Sequence, residues 1–289
     1  MQGRVVAAHG RQYLVELPDG SRLPCFPRGK KSEVACGDQV EIKQTSADQG
    51  VIEAIQPRRS LLYRSNEIRQ KLIAANVDQL IIVVATEPAF SDELVTRALV
   101  AAESASIEIL IVLNKCDLAD RLAAARERLT VFAGLGYRIL ELSARDHAED
   151  LRPALHSRTS VLVGQSGMGK STLINALIPE ANAATREISL ALDSGKHTTT
   201  HASLYQLDAD SALIDSPGLQ EFGLGHLARG EIEQAFPEFR PFLGQCRFRD
   251  CRHDREPDCA LTVALAAGKI DPRRFAAYRR IVGGGGQTS

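Results

Sequence analysis

The sequence predicts three units in series: a small N-terminal β-barrel, a central doubly wound α/β domain, and a C-terminal helical segment built around a Cys/His cluster. Three observations predict this. Five short strand patterns fall within the first 56 residues, apolar runs alternate with helical stretches over 77–214, and three cysteines and a histidine crowd into fourteen residues near the C-terminus. A chain of 289 residues with 44% hydrophobic content is long enough to build more than one core.

The barrel rests on strand patterns at 4–8, 12–16, 22–26, 39–44 and 50–55, broken by Pro18-Asp19-Gly20 and Cys36-Gly37-Asp38. Strands this short, with turn residues between them, suit a small closed or nearly closed barrel. An OB-type barrel is the leading reading, with a generic SH3-like barrel as the alternative. Pro57-Arg58-Arg59-Ser60 marks a boundary, so the barrel is expected over 1–58, the α/β domain over 59–225 and the last unit over 226–289.

In the middle unit, strands are expected at 79–85, 107–113, 138–142, 160–163, 204–207 and 212–214, with helices at 92–105, 119–134, 147–156 and 170–178. Continuous apolar runs between helical stretches are the pattern of parallel strands buried on both faces. Beyond Gly225 the strand signal stops, and helices surround the Cys/His-rich loop before a flexible tail at 283–286.

The net charge of −1 is segregated: residues 1–71 carry 12 Lys/Arg against 8 Asp/Glu, residues 72–228 carry 12 against 20, and residues 229–289 carry 11 against 8. Basic ends around an acidic middle are compatible with nucleic-acid contact, and equally with solvated faces. Apolar runs such as 80–85 fall far short of the roughly 18–20 residues that cross a bilayer. The N-terminus lacks an apolar signal core, so a cytoplasmic address without membrane contact is expected.

Gly164-Gln165-Ser166-Gly167-Met168-Gly169-Lys170-Ser171 matches GxxxxGKS between a strand pattern and a helix pattern that opens at Thr172. Glycines there let backbone N–H groups approach phosphates, Lys170 reaches the β and γ oxygens, and Ser171 can ligate Mg²⁺. Asp215-Ser216-Pro217-Gly218 follows another strand pattern, a DxxG in which the acid holds Mg²⁺ through water and the glycine N–H senses the γ-phosphate. Asn114-Lys115-Cys116-Asp117 is an NKxD: Asp117 accepts from N1–H and the N2 amine of guanine, Asn114 braces the loop, and Lys115 packs across the base. Ser143-Ala144 supplies a backbone N–H for the guanine O6.

Between the phosphate loop and DxxG, Gly195-Lys196-His197-Thr198-Thr199-Thr200 has the makings of a switch. One threonine, represented by Thr199, meets Mg²⁺ and the γ-phosphate in the GTP state; a plain polar loop is the alternative. Leu219 stands where many GTPases place a water-orienting glutamine, so intrinsic hydrolysis should be slow unless His197, Gln220 or a partner orients the water. The base motifs precede the phosphate motifs, so the domain reads as circularly permuted, which leads the chain from DxxG almost directly into the Cys/His unit.

Cys246, Cys251, His253 and Cys259 form Cx4CxHx5C, a set of three thiolates and one imidazole that suits a closed, tetrahedral zinc site although it lacks paired CxxC spacing. Arg247, Arg249, Arg252, Arg255, Arg273, Arg274, Arg279 and Arg280 surround it in sequence, either as phosphate contacts or as solvated charges.

Over essentially its full length the chain resembles the ribosome small-subunit-dependent GTPases, the RsgA (YjeQ) family. The resemblance is carried by the strand-rich N-terminus, Ala74-Ala75-Asn76-Val77-Asp78, the NKxD, the phosphate loop, Lys196 to Thr200, Asp215 to Phe222 and the C-terminal Cys/His set; Met168 and Lys196 stand where Val and Arg are expected. It implies an OB-type barrel, a circularly permuted P-loop GTPase domain and one structural Zn²⁺ on the four ligands. It also implies GTP hydrolysis to GDP with Mg²⁺, in a monomer acting in late maturation of the small ribosomal subunit. Contacts to rRNA come from the end units, and the subunit stimulates hydrolysis. An RNA-binding adaptor that holds GTP with negligible hydrolysis is the alternative, motivated by Leu219. Because all nucleotide motifs lie beyond residue 56, removing 1–56 is expected to abolish stimulation by the subunit while sparing basal hydrolysis.

Overall fold

The computed structural model describes residues 1–29, 33–65, 70–179, 181, 202–216 and 223–283. Strands β1 (Gln2–His9), β2 (Gln12–Glu16), β3 (Arg22–Pro27), β4 (Gln39–Gln44) and β5 (Gly50–Ile55) pair in the order β1-β2-β3-β5-β4, and β4 returns to β1 to close a five-stranded barrel. Alternation aims Val5, Tyr13, Val15, Leu23, Cys25, Val40, Ile42 and Ile52 inward as its core. The parallel β3–β5 pair and the β1–β4 closure are those of an OB-type barrel. A register shift between Val5 and Ala7 lets the first half of β1 pair with β4 and the second half, still paired with β2, turn its other edge away from β4.

That second half joins the central sheet. Ala7 and Ala8 pair antiparallel with Ser203 and Ala202, so one continuous sheet runs through barrel and α/β domain. Gly37 at φ +93° seats the barrel: a Cβ there would lie 2.2 Å from the Ala75 carbonyl oxygen. Arg58 adds a bridge to Asp38 at 2.7 Å, and Arg4 donates to Thr159 Oγ1 at 3.1 Å.

A hairpin unforeseen in the sequence, β6 (Leu61–Ser65) and β7 (Gln70–Ala75), follows the boundary residues. Residues 57–71 also hold the whole basic excess of the N-terminal segment, because 1–56 carries seven Lys/Arg and seven Asp/Glu.

The α/β sheet consists of β8 (Gln79–Ala85), β9 (Glu108–Asn114), β10 (Arg138–Glu141), β11 (Thr159–Val163), β12 (Ala202–Gln206) and β13 (Ala212–Asp215), in the order β10-β9-β8-β11-β13-β12. β8 and β11 are buried along their whole length, as expected between two helical layers. The sheet departs from the all-parallel expectation at β12, which runs antiparallel to β13. Helices α1 (Asp92–Ser104), α2 (Ala119–Gly134) and α4 (Lys170–Leu177) match the sequence pattern. The helix expected at 147–156 is instead a 3₁₀ turn, Ala148–Leu151, followed by the short α3 (Arg152–Leu155), because Pro153 has no N–H to continue the ladder.

The C-terminal unit comprises α5 (Arg229–Gln234), α6 (Ala260–Ala266) and α7 (Pro272–Gly283). Phe236, Phe239 and Tyr278 stack or meet edge-on, Phe275 packs on them at a tilt, and all four continue the apolar core of the central domain. No described helix is long and apolar enough to cross a membrane.

Candidate functional site

The loops that follow β9, β10 and β11, together with the end of β13, converge at the carboxyl edge of the sheet, the place where open α/β sheets bind ligands. They enclose a cavity of about 550 Å³ lined by Asn114, Lys115, Asp117, Ser143, Ala144, Ser166, Gly167, Gly169, Lys170, Ser171, Thr172 and Asp215, all expected from the sequence. Leu118, Arg145 and Ser216 also line it and were missed, although each is the direct neighbour of an expected residue.

Asn114, 1% exposed, joins three loops through one amide. Its Nδ2 donates to the Met168 carbonyl at 2.9 Å, and its Oδ1 accepts from Lys115 N and Ala144 N, both at 2.8 Å. Of the Ser143-Ala144 pair expected to offer a backbone N–H to a guanine O6, the Ala144 N–H is directed to Asn114. Lys115, at φ +63°, donates its ammonium to the Glu87 carbonyl at 2.8 Å, while Thr86 Oγ1 donates to the Lys115 carbonyl at 2.9 Å. Asp117 lies exposed at the cavity mouth.

The phosphate loop requires its glycines. A Cβ on Gly164 would lie 2.3 Å from the Val83 carbonyl oxygen, and one on Gly169, at φ +88°, 2.3 Å from Asn114 Nδ2. Lys170 donates to the carbonyls of Gly164 and Gln165 at 2.7 and 2.8 Å. Burial pushes the Lys170 ammonium down and the Asp215 carboxyl up from their ordinary values, and the charge of each opposes the shift of the other. Four expected residues support the cavity without lining it. Cys116 donates its thiol to the Leu113 carbonyl at 3.2 Å, Gly164 packs on Val83, Gln165 faces Ser91, and Met168 is buried beneath the loop. Gly195, Lys196, His197, Thr198, Thr199, Thr200, Pro217, Gly218, Leu219 and Gln220 lie outside the described residues.

In the C-terminal unit the ligand atoms of Cys246, Cys251, His253 and Cys259 all lie within 4.8 Å of one another and could hold a metal ion. His253 Nδ1 is 3.5, 3.6 and 3.3 Å from the sulfurs of Cys246, Cys251 and Cys259, and the Cys246 and Cys259 sulfurs are 3.9 Å apart. Nε2 of the same ring sits 3.5 Å from Glu233, a carboxylate also bound by Tyr278 and Arg229 at 2.6 and 2.9 Å, which fixes the ring with Nδ1 toward the thiols. Of the surrounding arginines, Arg274 is 1% exposed and pairs with Glu238, so it is a core residue and no phosphate contact. Arg247, Arg273, Arg279 and Arg280 pair with Asp258, Asp271, Asp254 and Glu93.

The model of the RsgA GTPase family matches residues 55–225. The chain belongs to the RsgA GTPase family. It is 58% identical over 286 residues to a protein of Burkholderia pseudomallei named small ribosomal subunit biogenesis GTPase RsgA, covering 97% of this chain and 91% of that one. A Ralstonia pickettii protein of the same name is 56% identical over 288 residues. Among solved structures, YjeQ from Thermotoga maritima superposes with a TM-score of 0.71 at 32% identity over 98% of both chains. YloQ, described as a circularly permuted GTPase, gives 0.69 at 26% identity over 99% of this chain and 96% of its own. This chain is a GTPase, and its NKxD and Ser143-Ala144 precede GxxxxGKS in the sequence.

Proposed function

We propose that this chain binds GTP in the 550 Å³ cavity and hydrolyses it to GDP and phosphate during biogenesis of the small ribosomal subunit, with that subunit as the stimulating partner. The observation that carries the nucleotide assignment is the Asn114 amide, which locks the NKxD loop and the Ser143-Ala144 loop to the phosphate loop, so that base and phosphate recognition have one fixed spacing. The names of the relatives in Burkholderia and Ralstonia support the ribosomal role.

In this reading Asp117 accepts from the guanine edge and becomes desolvated only when the base covers it, Lys115 and Leu118 flank the base plane, and Lys170 turns toward the β and γ phosphates. Ser171 and Asp215 hold Mg²⁺, which supplies charge neutralisation at the phosphoryl oxygens when bound. The role of Lys196 to Thr200 as the γ-phosphate switch, and of His197 in orienting water, stays within the proposal.

The C-terminal cluster is read as one structural Zn²⁺ site. Tetrahedral zinc, with bonds of about 2.3 Å to sulfur and 2.0–2.1 Å to nitrogen, sets its ligand atoms roughly 3.5–3.8 Å apart. The three Nδ1–sulfur spacings and the Cys246–Cys259 spacing, 3.3 to 3.9 Å, lie near that figure, and every pair of ligand atoms is within 4.8 Å.

The test is steady-state GTP turnover by the full chain against added small subunits, large subunits and free RNA at fixed salt, since phosphate contacts are salt-dependent. Small subunits alone are expected to accelerate turnover, by up to the roughly 10³–10⁵ that activating partners supply elsewhere. Equal rates in all conditions overturn the stimulated-enzyme reading.

A further inference from the structure

Gln165, the second residue of the phosphate loop, does not line the nucleotide cavity. Its Oε1 accepts the backbone N–H of Ser91 at 2.7 Å. Ser91 is the N-cap of α1, with its hydroxyl accepting from Leu94 N at 3.4 Å. Val95 and Ala98 are buried against the sheet, but a cavity of about 20 Å³ lined by Leu94, Val95, Ala98, Val83, Val163 and Gln165 leaves the packing at this first turn incomplete. Atoms bordering such a gap forgo part of their dispersion contacts. The Gln165 hydrogen bond therefore fixes the height of the turn above the loop.

From that turn onward α1 is the platform of the C-terminal unit. Glu93 accepts from Arg280 Nε at 2.9 Å, and Thr96 Oγ1 accepts from Arg274 Nη1 at 3.0 Å. Arg274 also holds Glu238 at 2.7 Å and lies 4.5 Å above the Phe236 ring. Leaving a buried guanidinium unpaired is costly, so these contacts make α7 follow α1 as one body.

The loop also contains the origin of a displacement. The Lys170 ammonium donates to the carbonyls of Gly164 and Gln165, and a phosphate in the cavity competes for those same protons. The residue whose carbonyl is released is the residue whose side chain holds α1.

We propose that Gln165 is a positioning residue that ties the phosphate loop to α1, through which occupancy of the loop is passed to α7 and the metal-ligand unit. The proposal rests on nucleotide binding in the cavity. It is tested by hydrogen–deuterium exchange of the full chain with and without saturating GDP, with GDP binding measured calorimetrically for each variant. In the wild type, GDP slows exchange in the first turn of α1 and in α7. Gln165→Met, of similar length but without the acceptor, loses the response in α7, and Gln165→Glu, which restores an acceptor oxygen, regains it. Thr96→Val keeps the α1 response and loses the α7 response, which tests the second link without touching the loop. An unchanged α7 response in Gln165→Met or Thr96→Val, or no α7 response in GDP-bound wild type, overturns the proposal. Failure of the wild type to bind GDP at all would instead overturn the nucleotide reading of the cavity.

Discussion

With Nδ2 on the Met168 carbonyl and Oδ1 shared by two backbone N–H groups, Asn114 makes three of the four hydrogen bonds its amide allows. This satisfied, buried amide leaves its neighbour Asp117 free to recognise the ligand. Replacing Asp117 by Asn should weaken GTP binding by about 10–100-fold, the scale of a lost charge-assisted bond, and shift preference toward xanthine nucleotides, whose C2 carbonyl suits an amide donor. Competition binding of GTP, ATP and XTP checks this, and ATP competing as well as GTP in the wild type would contradict it. Gly169→Ala should be severe for a different reason. The new Cβ meets Asn114 Nδ2 at 2.3 Å and sits on a backbone at φ +88°, so the amide must leave Met168 or the loop must shift, and GDP affinity should fall without global unfolding. The cavity lining was largely legible because its chemistry prescribes residue types at fixed spacings. The part played by Gln165 was not, because GxxxxGKS leaves that position open and its partner, Ser91, lies 74 residues away.

At the scale of elements, the barrel strands were readable because their apolar residues alternate. The β6–β7 hairpin was not, because residues 65–69 contain no Gly or Pro to mark a turn and the flanking positions Arg64, Gln70 and Lys71 break the apolar alternation. The Cys/His segment gave no periodic signal, yet its ligands come together because the polar loop is held at both ends, by Glu233 behind His253 and by the buried Cys259 at the start of α6. A structural zinc supplies on the order of 10 kcal/mol to small zinc domains. Elemental analysis should therefore find one zinc per chain, and Cys251→Ala should lose the metal and expose 240–260 to limited proteolysis. GDP should still bind, since the residues lining the cavity all fall within 114–216. A metal-free wild type with an intact, protease-resistant C-terminal unit would contradict the zinc assignment.

For the molecule as a whole, the decisive feature is the splice of β1 onto β12, which the sequence could not reveal because pairing partners more than 190 residues apart leave no local trace. β12 begins at Ala202, directly after His197 to His201 in the chain, and its Ser203 lies between Ala7 of the barrel on one side and Asp215 on the other. The expectation that removing 1–56 spares basal hydrolysis therefore needs revising. Such a truncation leaves β12 as a bare edge and uncovers apolar side chains that now pack against Val6, Leu14 and Cys36, which share a core with Leu62, Ile73 and Leu80. Each large side chain so exposed costs about 1.5–3 kcal/mol, and in a domain of this size each kcal/mol lowers Tm by roughly 2–4 °C. The truncated chain should melt several degrees lower and turn over GTP more slowly even without ribosomal subunits, because the strand that follows the proposed switch residues has lost one of its two partners. GDP affinity should change far less, since the phosphate loop hangs from β11, with β13 between it and the damaged edge, and Asn114 hangs from β9, farther off beyond β8. Thermal unfolding, GDP titration and subunit-free turnover of the full and truncated chains distinguish the outcomes: unchanged turnover would make the barrel a passive appendage, and selective loss of turnover would make it part of the hydrolytic machinery.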